Sequence, residues 1–286
     1  MGRIVYVNGA YLDESEATVS IFDRGFLMSD AVYEVTSVLG GKLIDFPGHI
    51  ARLHRSLSEL GIGFPASDDE LLEIHRELVA RNDITDGGVY LQVTRGNPGD
   101  RDFAFPPADT PVTLVMFTQS RPGVAASPDL GKGIAVISVP DLRWHRRDIK
   151  TTQLLYASMA KMAAKAAGAQ DAWLVEDGMV TEGTSNNAYI VKDGTIITRE
   201  LSNDILHGIT RAAVLRLARE AQMKVVERQF TVAEAQEADE AFITSASSFC
   251  MPVVQIDGVK VAGGTPGPMA ERLREIYLEE ARRTAI

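Results

Sequence analysis

Asp148-Ile149-Lys150-Thr151-Thr152-Gln153-Leu154-Leu155 and, beyond a helix and a hairpin, Val180-Thr181-Glu182-Gly183-Thr184-Ser185-Asn186-Asn187 form the stretch around which the chain is arranged. They put one lysine and one glutamate at the ends of elements, where side chains converge on a bound molecule. Taken alone, a lysine beside threonines and a glutamate before a glycine are ordinary solvated groups. The order of elements around them decides the reading.

After Lys150 the spacing predicts a helix to residue 167, with Leu155, Met159, Met162 and Ala163 on its apolar face and Gly168 as its stop. Asp177-Gly178 and Asp193-Gly194 each join two short strands, and two tight hairpins in succession imply a second antiparallel sheet. A helix over 210–222 follows Leu206-His207-Gly208-Ile209. Thr231 opens a capped short helix, a strand over 241–245 runs into Ala246-Ser247-Ser248, and a helix from about Pro268 closes the chain.

Upstream, Ile4-Val5-Tyr6-Val7-Asn8-Gly9 reads as a strand closed by an Asn-Gly turn. Period-two alternation over 29–38 predicts a strand with one buried face, and Ile50, Leu53, Leu57 and Leu60 mark a helix over 48–60. Ser67 and Glu70 are a capping box for a second helix, and strands at 89–95 and 112–117 flank a long polar loop carrying Arg101 and Phe103. Turn residues from 119 to 131 mark a boundary. The expected organisation is a small N-terminal α/β domain (1–119), a linker (120–131) and a larger C-terminal domain (132–286) of mixed or antiparallel sheet with helices.

The 286 residues carry a net charge of −10, with 45% hydrophobic residues, as in ordinary folded proteins. That balance repels a phosphate backbone and gives no footprint for nucleic acid or an anionic membrane. No apolar run approaches the roughly 20 residues that span a bilayer, and Met1-Gly2-Arg3-Ile4-Val5 lacks a signal-peptide core. With Cys250 as the single cysteine, a small apolar group beside a strand, the expectation is a cytoplasmic protein. The five histidines show no metal-ligand spacing, so no metal is expected, and a serine triad is no better supported.

Three places offer an anion a partner: Gly208-Ile209-Thr210 at a helix N-terminus, the small residues Ser245-Ala246, and the guanidinium of Arg52. Neither a Walker nor a Rossmann fingerprint accompanies them. Beside such a cup, a lysine amine has a specific use, a Schiff base with a phosphate-bearing aldehyde, which would be pyridoxal 5'-phosphate. Glu182 would hold the proton on the ring nitrogen.

Asp148-Ile-Lys150, Val180-Thr-Glu182-Gly-Thr-Ser-Asn-Asn187, Ala188-Tyr-Ile-Val191, Leu206-His-Gly208-Ile-Thr210-Arg211, Asp23-Arg24-Gly25, Val32-Tyr-Glu-Val35 and His49-Ile-Ala-Arg52-Leu53 resemble the class IV pyridoxal-phosphate aminotransferases over almost the whole chain. The resemblance implies the two-domain fold type IV and a homodimer with the cofactor between the domains. It implies Lys150 as Schiff-base lysine and proton shuttle, Glu182 at the pyridine nitrogen, and Arg52, Ile209, Thr210 and Ala246 around the phosphate. Ser185, Asn186, Asn187, Leu206, Gly208 and Ser245 complete the expected cofactor site, with Tyr33, Val35, Ser37, Arg101, Phe103 and Ser247 on the substrate side.

Within that family the pattern is most similar to D-amino-acid aminotransferases, whose carboxylate trap is an arginine, a histidine and a lysine. Arg101 fits, but Phe103 stands at the histidine place and Ser37 at the lysine place. The expected activity is transfer of an amino group from a D-amino acid to pyruvate or 2-oxoglutarate in a ping-pong cycle, with acceptance of (R)-primary amines. Arg24 has two readings, a source of the missing charge or a turn-stabilising structural arginine. Rival activities are a branched-chain L-amino-acid aminotransferase and aminodeoxychorismate lyase, and a rival of another class is a non-catalytic binding protein on the same scaffold.

Overall fold

Asn8 and Gly9 both adopt positive φ (47° and 98°), so the chain reverses in two residues and β1 (Ile4–Val7) pairs with β2 (Ala10–Asp13). The computed structural model describes residues 2–126 and 131–286; residues 127–130 of the expected linker lie outside them. The chain divides into two units, one of residues 1–124, 149–153 and 284–286, the other of 125–148 and 154–283.

The first unit continues with α1 (Arg24–Met28), β3 (Ala31–Leu39), β4 (Lys42–Leu43), α2 (Phe46–Leu60), α3 (Asp68–Arg81), β5 (Gly87–Thr94) and β6 (Thr113–Ser120). Its six strands form an antiparallel sheet in the order β2-β1-β6-β5-β3-β4. The short α1 has no apolar stripe to announce it; it is fixed by the Asp23 carboxylate, which accepts from the Gly25 amide. Ser67 and Glu70 cap each other's amides as a capping box at the head of α3.

Cross-strand register puts Val32, Glu34 and Thr36 on one face with Val93, Leu91 and Val89, and then with Leu114, Met116 and Thr118. All of these are buried, and α2, whose Ile50, Leu53 and Leu57 are buried too, packs along β3 and meets Glu34 on this face through His49 and Arg52. On the opposite face Tyr33, Tyr90 and Phe117 stack in a row, at centroid separations of 5.6 and 4.7 Å. Ser37 on that second face is buried as well, so β3 is not the one-sided strand its alternation suggests.

Residues 149–153 fall in the first unit, whereas the sequence reading placed 132–286 whole in the second. The reason is an unfilled sheet edge: β4 is two residues long and leaves Ala31 to Tyr33 without a neighbour. Residues 149–152 fill it. Tyr33 N–H donates to the Lys150 carbonyl (3.0 Å) and Thr152 N–H to that of Ala31 (3.1 Å).

The second unit contains β7 (Ile134–Pro140), α4 (Leu155–Ala166), β8 (Asp171–Glu176), β9 (Met179–Gly183), β10 (Asn187–Lys192), β11 (Thr195–Thr198), α5 (Ile209–Glu220), β12 (Lys224–Glu227), α6 (Val232–Gln236), β13 (Glu240–Ser245), β14 (Phe249–Ile256), β15 (Val259–Lys260) and α7 (Pro268–Thr284). The sheet order is β12-β11-β10-β13-β14-β7-β8-β9, with β15 beside β14. It is mixed rather than antiparallel, because β11–β12, β14–β7 and β7–β8 are parallel pairs. The two hairpins of the sequence reading belong to opposite ends of this sheet.

The face of α4 is also corrected. Its buried residues are Ala157, Ala160 and Ala164, while Leu155, Met159 and Met162 are 77%, 59% and 61% exposed. Alanines let the helix lie close to β8, where Ala164 packs with Ala172 and Leu174. Ala164→Leu is therefore expected to lower the melting temperature, at a cost of about 1 to 3 kcal/mol for overpacking. Lys165→Gln, at an exposed position of the same helix, should leave the melting curve nearly unchanged; the reverse order in calorimetry would contradict this packing.

Candidate active site

A glutamate in an otherwise apolar strand is costly unless a cation meets it. In the first unit Glu34 meets two groups of α2: Arg52 donates through Nε and Nη2 to its two oxygens, both at 2.7 Å, and His49 Nδ1 lies 2.7 Å from Oε2. Burial alone would raise the Glu34 carboxyl, but the Arg52 charge and these hydrogen bonds bring it down to about 2. Arg52, foreseen as a phosphate ligand, is thus pre-set by a bidentate clamp. Glu34 itself was not singled out, though a charge at an inward position of a period-two strand is a legible signal.

The edge of β3 sets Lys150. Its carbonyl accepts from Tyr33, and its own N–H points to Ser56 Oγ at 3.4 Å. Ser56 is four residues beyond Arg52 and shares its side of α2. Lys150 Nζ stands 4.2 Å from the centroid of the Tyr33 ring, so Lys150, Tyr33 and the Arg52 side of α2 are brought together. Val35 is half-buried on the Tyr33 face, and the buried Ser37 holds the turn into α2 through its carbonyl, which accepts from Ile44.

The loop after β5 presents Arg101 and Phe103 to solvent, the guanidinium 4.9 Å from the ring centroid and Phe103 79% exposed. Arg24 fastens this loop. It donates to the carbonyls of Asp102 (2.6 Å) and Ala104 (3.2 Å) and pairs with Asp30 at 2.7 Å. Buried and fully engaged in this way, it is a structural arginine rather than a spare charge.

In the second unit Glu182, 3% exposed at the end of β9, accepts from Arg143 Nη1 (2.7 Å), Asn187 Nδ2 (3.1 Å) and the Leu206 amide (3.0 Å). Burial pushes its carboxyl above the ordinary range, with Arg143 as the main counterweight. Asn187 also donates to the Leu206 carbonyl at 3.0 Å, so the foreseen Asn187 and Leu206 act on Glu182 and on the loop before α5. Arg143, which the sequence reading did not single out, is the partner that was missed.

Gly208 ends that loop as the N-cap of α5, without a side-chain cap, and a Cβ there would come 2.1 Å from Asn187 Oδ1. Gly208 thus makes room for the Asn187 side chain, and the first-turn amides at Ile209 and Thr210, with no side-chain cap, lie at the positive end of a 12-residue helix, which favours an anion. Ser245 closes β13, where its hydroxyl meets those of Ser248 (2.7 Å) and Ser247 (3.3 Å) in the turn that contains Ala246. Ser185 is exposed, and Asn186 donates to Asp171 at 2.6 Å to pin the β9–β10 connection.

The residues present fit pyridoxal phosphate. Taken each by itself, the first unit carries an amine and a fixed guanidinium, and the second a buried carboxylate and a helix N-terminus without a side-chain cap. His145, Glu176 and Asp204 approach within 4.8 Å of one another, but Arg147 and Arg199 already neutralise the two carboxylates, and no metal site is built on them.

Comparison with known proteins gives a consistent result. The family described as Amino-transferase class IV matches residues 31–256. The D-alanine aminotransferase of Bacillus licheniformis is 41% identical over 271 residues, 94% of each chain. That of Listeria monocytogenes is 38% identical over 279 residues, 98% of this chain and 96% of the relative. Among solved structures, the branched-chain amino acid aminotransferase of Escherichia coli superposes with a TM-score of 0.89 at 22% identity, covering 98% of this chain and 95% of that one. A T.th. branched-chain amino acid aminotransferase solved with pyridoxamine 5'-phosphate gives 0.85 at 27% identity, covering 98% and 94%.

Because the folded Glu34 carboxyl titrates near 2 against an ordinary 4.5, its stabilising contribution is present above pH 4.5 and is lost as pH falls toward 2. Wild type should therefore melt above Glu34→Gln at neutral pH, by on the order of 3 kcal/mol. The gap should close on acidification through that window. A gap independent of pH would show that the Glu34 charge does not stabilise the unit.

Proposed function

This chain belongs to the class IV aminotransferases, and on that footing we propose that it is a pyridoxal-phosphate transaminase that moves an amino group from a D-amino acid to a 2-oxo acid such as pyruvate or 2-oxoglutarate. The observation that carries the reading is the near-full-length likeness, at 38–41% identity, to D-alanine aminotransferases. Likeness to the Escherichia coli branched-chain enzyme, at 22% identity, speaks to the fold. The binding-protein rival has no support, since Lys150 and Glu182 are both in place.

The bound cofactor supplies an electron sink for the charge that develops at the substrate α-carbon. Lys150 would hold the cofactor, and its Nζ would take up and return the proton of the substrate α-carbon, a transfer worth about 10² to 10⁴ in rate. Its reach is set at both ends, by the backbone bond to Tyr33 and by the ring 4.2 Å from Nζ. Glu182 holds a proton at the ring nitrogen. Arg52 and the amides of Ile209 and Thr210 bind the phosphate.

Arg101 is read as the group that grips the substrate carboxylate in a bidentate pair. Phe103 and Ser37, where polar partners are expected, each remove a contribution of about 1 kcal/mol. Discrimination against donors without a carboxylate falls accordingly, so (R)-primary amines are read as slower substrates. The working form is read as a homodimer, supported by the exposed row of Leu155, Met159 and Met162 on α4, which a second copy would cover. A cytoplasmic setting is supported by the buried free thiol of Cys250. Among the described residues no helix is long and apolar enough to cross a membrane.

Assays of the purified enzyme with D- and L-alanine, D- and L-glutamate and (R)-phenylethylamine should show turnover of the D-forms above the L-forms, and slower turnover of the amine. Lys150→Ala should lose about 10²-fold or more in turnover. Preference for L-amino acids, or pyruvate release from aminodeoxychorismate, would overturn the reading.

A further inference from the structure

We propose that Arg143, clamped by Asp141, is a positioning residue that keeps Glu182 ionised; its consequence for the cofactor's ring nitrogen rests on the reading of Glu182 given above. The geometry is a two-sided fork. Arg143 donates through Nε (2.9 Å) and Nη2 (2.7 Å) to the two oxygens of Asp141, and through Nη1 to Glu182 at 2.7 Å. A lysine could not serve both carboxylates in one fixed plane.

Asp141 is itself anchored. Its amide donates to the Val175 carbonyl at 2.7 Å, and Thr181 Oγ1 donates to its Oδ2 at 2.7 Å. Behind it Arg147 Nη1 lies 3.5 Å from Asp141 and pairs with Glu176 at 2.8 Å, and the exposed His145 stands 3.7 Å from Glu176. Charges thus alternate from Glu182 through Arg143, Asp141 and Arg147 to Glu176, and the fork on Asp141 holds Arg143 in place.

The groups facing Glu182 are Arg143 and Asp141 from the segment after β7, Asn187 from β10, and the Leu206 amide from the loop before α5. Asn187 and Leu206 are neutral donors, and Asp141 opposes ionisation. Arg143 is the cation in this set, and without it a buried carboxylate takes up a proton. A protonated Glu182 no longer favours a proton on a ring nitrogen beside it.

The test uses the full-length protein, free of cofactor and labelled with 13C at glutamate side-chain carboxyls, the Glu182 signal being assigned by its loss in Glu182→Gln. We expect the Glu182 titration midpoint to rise by at least about one pH unit in Arg143→Gln and to fall between the two in Arg143→Lys. An unchanged midpoint in a folded Arg143→Gln overturns the proposal. If that variant does not fold, the smaller rise in Arg143→Lys, which keeps a cation but loses the planar fork, carries the test, and no rise there overturns the proposal equally. A visible-absorbance pH titration of the loaded enzyme separates the two readings. A midpoint that moves while the absorbance profile of Arg143→Gln and of Glu182→Gln stays that of wild type supports the role of Arg143 and rejects the place of Glu182 at the ring nitrogen.

Discussion

A carboxylate taken out of water must be met by a cation, and each unit of this chain is built around one such pair. In the first it is Glu34 with Arg52, and in the second Glu182 with Arg143. Stability alone does not account for either pair, since an apolar pair of similar volume is often as stable. Each instead fixes a functional group in direction. Glu34 aims the Arg52 guanidinium along the side of α2 that also meets Lys150 through Ser56, and Arg143 with Asn187 and the Leu206 amide aims the carboxylate of Glu182. Asn187 carries the same order into the loop that opens α5, where Gly208 gives its side chain room.

Local features were legible because their causes are local. The Asn8-Gly9 turn, the Ser67 capping box and the stops at Gly61 and Gly168 follow from backbone freedom and orphan amides a few residues apart. Lys150 and Glu182 were legible through the order of motifs around them. Arg143 was not, because its two carboxylate partners are 2 and 39 residues away, and only the sheet brings the far one within reach.

The failure at α4 has a different origin. Periodicity identifies a stripe of large apolar residues but cannot tell that a neighbouring stripe of alanines is the one that packs. Ser185 and Asn186 were carried along by their motif, yet Asp171 claims Asn186 for the strand connection. The edge addition of 149–153 to β3 likewise depends on the shortness of β4, which no window around Lys150 contains.

The central claim is that Lys150, set by the β3 edge and the Tyr33 ring, is the amine that holds the cofactor. Borohydride reduction of the loaded enzyme followed by peptide mass mapping tests it most directly. The account predicts the pyridoxyl phosphate label on the peptide containing Lys150. A label on Lys161, Lys165 or any other lysine, or no label on a protein that binds the cofactor, would contradict it.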